Sequence, residues 1–275
     1  MTGVGRLTAS DVDGAFAAAQ RVVDVHRALV GYVRPGLTLA QIDTFVAKQL
    51  DALGAKSCFL GYRQSFSDPK FPSYACLSVN DCIVHGTAGY LTRPLVAGDL
   101  LKIDIGVSYR GWIGDAAWTY SLGTPSPLNR KLMDAGKESL RRGIEALRPG
   151  NRLIDWAKAV QSCVETEYGL YLVRGLGGHG YGRRLHDAPF ISNTVPTHRA
   201  EWPDGDLPCG PGMLLAVEPM IALGTGRTKT AKGQWPVLTG DGSCSSHHEH
   251  DVLITEHGPR VLTEGLDELP DELPV

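Results

Sequence analysis

One feature restricts the fold more than any other: part of the chain repeats at a fixed distance. Arg34-Pro35-Gly36 recurs as Arg148-Pro149-Gly150, 114 residues on. Gly98-Asp99-Leu100-Leu101-Lys102-Ile103-Asp104 matches Gly212-Met213-Leu214-Leu215-Ala216-Val217-Glu218 at the same offset of 114. Each Arg-Pro-Gly break lies between two helical stretches. Two features sharing one offset point to duplication, with two helix-helix-sheet units packed as pseudo-twofold partners. The predicted class is α+β. A single domain over 1–275 is expected, with the repeat at about 10–124 and 125–263 and a loosely held acidic tail over 264–275.

The elements follow from local patterns. Ser10 and Asp13 read as a helix start, with an apolar period running to about Tyr32. Thr38-x-x-Gln41 is a capping box before the Leu39, Ile42, Val46, Leu50 stripe. Residues 75–84 read as a strand. Residues 99–107 and 112–122 read as a hairpin turning at Tyr109-Arg110-Gly111. Ser126-Pro127 starts a third helix, and Asn151 is expected to cap a fourth. Glycine-rich strands are expected over 170–222 and a final pair of strands over 246–263.

Composition narrows the class of function. With 27 Lys plus Arg against 30 Asp plus Glu, the net charge of −3 argues against a general basic grip on nucleic acid. No apolar run reaches the roughly 18 residues of a membrane span, and the start has no signal-like segment. The six cysteines, at 58, 76, 82, 163, 209 and 244, form no C-x-x-C and read as free thiols. A cytoplasmic protein is expected.

Four carboxylates stand in apolar surroundings, where an uncompensated charge is costly. Asp104 and Asp115 flank the predicted turn and should stand nearly opposite each other, with no Lys or Arg in an obvious position between them. A cation is the economical answer. Glu218 closes the second copy of the repeated strand. Glu249 lies in His247-His248-Glu249-His250-Asp251. Strand alternation puts His248 and His250 on one face and His247, Glu249 and Asp251 on the other. Glu249 is the expected ligand, with the neighbouring histidines as surface or packing residues. His179 lies between glycines, which permits close approach. His186 follows seven residues later, and His85 precedes the first hairpin. Four carboxylates and one imidazole can hold two divalent cations.

In order and spacing these segments resemble the type I methionine aminopeptidases of the pita-bread fold. The matching segments are Ser78 to Gly86, Gly98 to Ile105, Gly114-Asp115, Gly178 to Arg183, Leu185 to Pro189, Val217 to Met220, and His248 to His250. Together they span roughly residues 10–263. The resemblance implies a single catalytic domain with a curved antiparallel sheet between the two halves. It implies two divalent ions, Fe(II), Mn, Co or Zn, held by Asp104, Asp115, His179, Glu218 and Glu249. It implies hydrolytic removal of the N-terminal methionine by metal-activated water, with Glu218 as proton carrier, His186 facing the oxyanion and His85 guiding the amide nitrogen. Cys58, Cys76, His85, Leu185 and Trp235 would form the methionine pocket, with Tyr62 as a further candidate. Implied partners are N-terminal-Met peptides and nascent chains at the ribosome surface, acted on by a monomer with no membrane attachment. Glu218 follows His179 by only 39 positions, which leaves no room for a long helical insertion, and no Cys/His-rich extension is seen ahead of the body, so the resemblance implies a short bacterial-type enzyme.

The chain departs from the family at Leu185, where a Phe is usual, at Asp187-Ala188, at Ala116-Ala117, where Thr-Ser is usual, and in a longer 63–72 segment. These departures are expected to touch the substrate rim more than the ligands. Two other readings stay open: an Xaa-Pro exopeptidase of the same fold, and a metal-free peptide-binding paralogue.

Overall fold

The structure, a computed structural model, describes residues 7–63, 65, 66 and 68–275. The expectation about the chain's first residues, and parts of that about 63–72, fall outside this set. No helix among the described residues is long and apolar enough to cross a membrane.

Four helices carry the outside of the molecule: α1 (Ala9–Val30), α2 (Leu39–Ala52), α3 (Pro127–Ala146) and α4 (Leu153–Gln161). The α1 cap is two residues earlier than expected. Asp11 N donates to Thr8 Oγ1 and Thr8 N to Asp11 Oδ2, so Thr8 and Asp11 form the box that Ser10 and Asp13 were expected to supply. Thr38 and Gln41 cap α2 as expected, and Ser126 with Pro127 starts α3. Arg152, not Asn151, occupies the α4 cap, where its N–H donates to Asp155 Oδ2. The Asn151 side chain instead donates to Ala146 O and so closes the end of α3.

Each helix pair is followed in sequence by a five-stranded sheet. In the first, Leu100–Tyr109 pairs with Lys56–Ser57, Cys76–Val79 and Trp112–Leu122. In the second, Leu214–Val217 lies between Gly177–Gly180 and His250–Thr255, with Asp187–Ser192 and Gly258–Val261 at the edges. The segment 75–84 is two strands, Cys76–Val79 and Cys82–Val84, not one; the chain turns at Asn80, whose φ is 52°. The final region is three strands rather than two, with Ser245–His247 in a smaller sheet beside Met220–Ala222.

Every residue of Trp112–Leu122 is buried. One side of this strand meets α1 at backbone distance: a Cβ added to Gly114 would stand 2.6 Å from the carbonyl of Ala18. Contacts also run to the second half, where Glu249 N donates to Ala117 O at 2.8 Å. The functional cavity opens between the halves.

The tail is anchored, contrary to expectation. Glu272–Leu273 adds a parallel strand beside Ser121 and Leu122, and Leu273 is buried. Asp271 accepts from Lys137 Nζ, and Arg130 bonds Glu272.

Candidate metal centre

The first two carboxylates are set by a hairpin turn. Arg110 and Gly111 both have positive φ, 50° and 78°, as a two-residue turn of the tight hairpin class requires. The turn is therefore Arg110-Gly111, inside the expected Tyr109-Arg110-Gly111 segment but one residue later than direct opposition of Asp104 and Asp115 would need. Tyr109 pairs with Trp112, Asp104 faces Ala117, and Asp115 faces Gly106. Asp104 and Asp115 are thus diagonal neighbours on one face rather than directly opposed. Lys102 lies two residues along from Asp104, but its buried ammonium is taken up by Asn80 O at 2.7 Å.

The other two carboxylates sit where paired strands break. Pro219 has no N–H to continue the ladder, so Glu218 falls between Leu214–Val217 and Met220–Ala222. Opposite it, Glu249 falls between Ser245–His247 and His250–Thr255. At these interruptions both side chains turn into the cavity. Asn193, itself buried, holds the Glu218 backbone by donating from Nδ2 to Glu218 O at 2.9 Å. His179 is placed by close sheet packing. A Cβ on the preceding Gly178 would stand 2.2 Å from Ala216 O, so only glycine fits.

Asp104, Asp115, His179, Glu218 and Glu249 all line one cavity of about 420 Å³. His179 Nε2 lies 3.8 Å from Asp115 Oδ2 and 4.0 Å from Glu218 Oε1. Burial raises the pKa of Asp104, Asp115 and Glu249, and the neighbouring Asp104 charge raises Asp115 further. Burial lowers that of His179. Asp104 Oδ1 and Asp115 Oδ1 are buried with no hydrogen-bond partner. Among the described residues no Lys or Arg lines the cavity. Buried, clustered carboxylates with orphaned oxygens and no basic partner fit divalent cations well. The tightest ligand-type groups are Asp115, His179 and Glu249, and Glu218, His247 and Glu249, each within 4.8 Å. Asp104 stands beside these trios rather than inside either.

His247 was missed. Its alternation with Glu249 was read correctly, since His248 and His250 both lie against Trp118, at ring-centroid distances of 4.8 and 5.5 Å. The error lay in assigning His247 to surface or packing while it shares a face with Glu249. It lines the cavity, with Nε2 2.9 Å from Glu218 Oε2. The same alternation would have found it. Asp251 was also passed over. It is buried, and Asp115 N donates to its Oδ2 at 2.9 Å, so it fixes the backbone at Asp115, a candidate ligand.

Around the carboxylates, His85, His186, Cys76, Leu185 and Trp235 line the same cavity. His85 has φ 58°, an uncommon conformation for a side-chain-bearing residue and one that occurs at functional sites. Its ring stands edge-on to Trp235, 6.1 Å between centroids. His186 Nδ1 and Tyr62 Oη are 2.7 Å apart. Burial, then the adjacent His179, pushes the His186 pKa down to about 4. Cys58 is not in the cavity wall. The adjacent Phe59 is, packed over Gly106, and Tyr62 and Phe71 stand beside it. The identity of the wall residue was wrong by one position in a region with no strand periodicity to fix it. Ala116 and Ala117 are fully buried in the sheet beside the candidate ligand Asp115, so this departure belongs to the sheet and not to the substrate rim.

Residues 14–256 match the metallopeptidase family M24. The chain is 38% identical over 247 residues to the methionine aminopeptidase of Aquifex aeolicus, covering 90% of this chain and 93% of that protein. It is 38% identical over 267 residues to methionine aminopeptidase 1 of Mycobacterium tuberculosis, covering 95% and 96%. The crystal structure of the Thermotoga maritima methionine aminopeptidase superposes with a TM-score of 0.84 at 32% identity, over 94% of this chain and 98% of that one. The architecture is the pita-bread fold, with two pseudo-twofold helix-helix-sheet halves. With the match covering most of its length and a carboxylate-lined cavity that suits metal ions, the chain belongs to the metallopeptidase family M24.

Proposed function

We propose that this protein is a methionine aminopeptidase that hydrolyses the first peptide bond of chains beginning with methionine, using two divalent ions held by Asp104, Asp115, His179, Glu218 and Glu249. The observation that carries this reading is the placement of four carboxylates, Asp115 and Glu249 buried and Asp104 and Glu218 partly so, with His85 and His186, in a cavity that also has an aromatic wall. When bound, the ions supply a water acidified toward neutral pH and bind the free α-amino group.

The remaining chemistry comes from the chain's own side chains. Glu218 is held at Oε2 by His247 and is placed to take a proton from the attacking water and return it to the leaving amine. The Tyr62 phenol is made less acidic by burial and stays protonated. It donates to Nδ1 of the neutral His186, leaving the Nε2 proton for the carbonyl oxygen as negative charge develops. His85 guides the amide nitrogen. Phe59, Tyr62, Phe71, Cys76, Leu185 and Trp235 enclose the thioether, and sulfur packs favourably at aromatic edges. Fe(II), Mn, Co and Zn all suit the mixed oxygen and nitrogen set. Nascent chains are the natural source of such termini.

The test is a peptide panel on the metal-loaded protein. Free methionine is expected from Met-Ala-Ser and none from its N-acetylated form. Cleavage of Ala-Pro or Pro-first peptides in preference to Met-Ala-Ser would favour the Xaa-Pro reading and overturn this one.

A further inference from the structure

His247 faces both Glu218 and Glu249. The residue is 2% exposed and closes the Ser245–His247 strand. Its backbone is fixed on both sides: His247 N donates to Thr119 Oγ1 at 2.9 Å, and Thr119 Oγ1 donates to His247 O at 2.7 Å. The ring direction is therefore set by the sheet. Its Nε2 lies 2.9 Å from Glu218 Oε2 and 4.0 Å from Glu249 Oε2. Among the described residues, ligand-type atoms come together in two trios, Asp115–His179–Glu249 and Glu218–His247–Glu249. The trios share Glu249, and each contains one imidazole.

We propose that His247 is a direct metal ligand, so that the centre offers one imidazole to each cation instead of one in all. The proposal rests on the metalloaminopeptidase reading above. Two physical points favour it. A neutral imidazole completes the coordination of a dication already faced by carboxylates without adding charge to a buried site. A second nitrogen donor also moves the site's preference away from Mn(II), which suits oxygen ligands, toward Co(II), Zn(II) and Fe(II). The competing role is that of a positioning residue, with His247 only donating a hydrogen bond to Glu218. Glutamine at 247 separates the two roles, because its amide can still donate to Glu218 but is a poor metal ligand.

The experiment titrates the metal-stripped full-length protein with Co(II) and with Mn(II), by calorimetry and visible absorption, in wild type, His247→Gln and His247→Ala. Two Co(II) ions are expected to bind wild type. In both variants the weaker Co(II) event is expected to lose at least about tenfold in affinity, the visible bands to change, and Mn(II) affinity to fall less. Retention of both affinities and of the wild-type spectrum in His247→Gln overturns the proposal, whatever His247→Ala does. Failure of wild type to bind Co(II) at all overturns the metallopeptidase reading itself. X-ray absorption of the zinc-loaded wild type makes the result independent of variant folding. About one imidazole per zinc supports the proposal, and about half overturns it.

Discussion

Individual side chains carry the chemistry here, and four of them lead to direct predictions. Tyr62 Oη holds His186 Nδ1, so Tyr62→Phe should release the ring to rotate. Turnover is expected to fall about tenfold with KM and metal content unchanged, while His186→Ala should cost the ~10²–10³ typical of a lost oxyanion donor. Steady-state kinetics with metal analysis checks both; loss of an ion from His186→Ala would place that ring among the ligands. Methionine specificity concerns Leu185 together with Phe59. A leucine where the related enzymes usually have phenylalanine implies a wider pocket from sequence alone. The structure adds the Phe59 ring to the same cavity, so aromatic area is redistributed rather than lost. Phe59→Ala is therefore expected to lower discrimination of Met over Leu by ~1–3 kcal/mol, read as a ratio of kcat/KM values. Leu185→Phe should crowd the cavity and lower kcat/KM for methionine itself. Improved cleavage by Leu185→Phe would show that the pocket is underfilled.

At the level of elements, the four helices were the most legible, with the caps of the second and third. Thr38, Gln41, Ser126 and Pro127 act through local hydrogen bonds and backbone geometry that the sequence displays directly. The hairpin was visible too, but its register depended on which two residues take positive φ, and one residue of error moved Asp104 and Asp115 from diagonal to opposed. The five candidate carboxylate and imidazole positions stand out in the sequence because Asp104, Asp115 and His179 lie in apolar or glycine-rich strands, and Glu218 and Glu249 beside apolar ones, where a charge needs a reason. Phe59 was not, because the 57–62 segment has no period to fix a side chain's direction. The tail was misread because its acidity suggested solvent, whereas its partners, Lys137, Arg130 and Ser121, are more than 130 residues away in sequence. The correction is testable. Leu273 is buried against the Trp112–Leu122 strand, so Leu273→Ala should cost ~2–4 kcal/mol in urea denaturation. An unchanged midpoint would return the tail to the loosely held class.

Over the whole molecule, two five-stranded sheets, two smaller ones and the covering helices surround the cavity, and we propose that residues 10–124 and 125–263 are copies of a single unit. The offset of 114 supports this, since it aligns Asp104 with Glu218, one carboxylate from each half of the centre. The packing between α1 and the first sheet carries a pH signature of its own. His26 is fully buried beside Tyr120 Oη, and burial pushes its pKa down to about 4 from the usual 6.5. The unfolded chain therefore takes up a proton that the folded one refuses. Its stabilising contribution is complete above pH ~6.5 and is lost as pH falls through that window toward 4, on the order of 3 kcal/mol. His26→Gln should flatten this part of the stability profile of the metal-stripped protein between pH 7 and 4.5, as measured by urea midpoints. An unchanged slope would show that His26 is protonated in the folded state.

The central claim, that this cavity is a metal-dependent peptidase centre, is tested most directly by methionine release during metal titration. Metal-stripped protein is titrated with Co(II) while free methionine from Met-Ala-Ser is measured, in parallel for wild type and Glu218→Gln. The predicted result is no release without metal, rising release as ions are added to wild type, and none at any ratio in Glu218→Gln, with near-ultraviolet circular dichroism unchanged. Release at the same rate by stripped protein, or wild-type turnover by Glu218→Gln with two ions bound, would contradict the account.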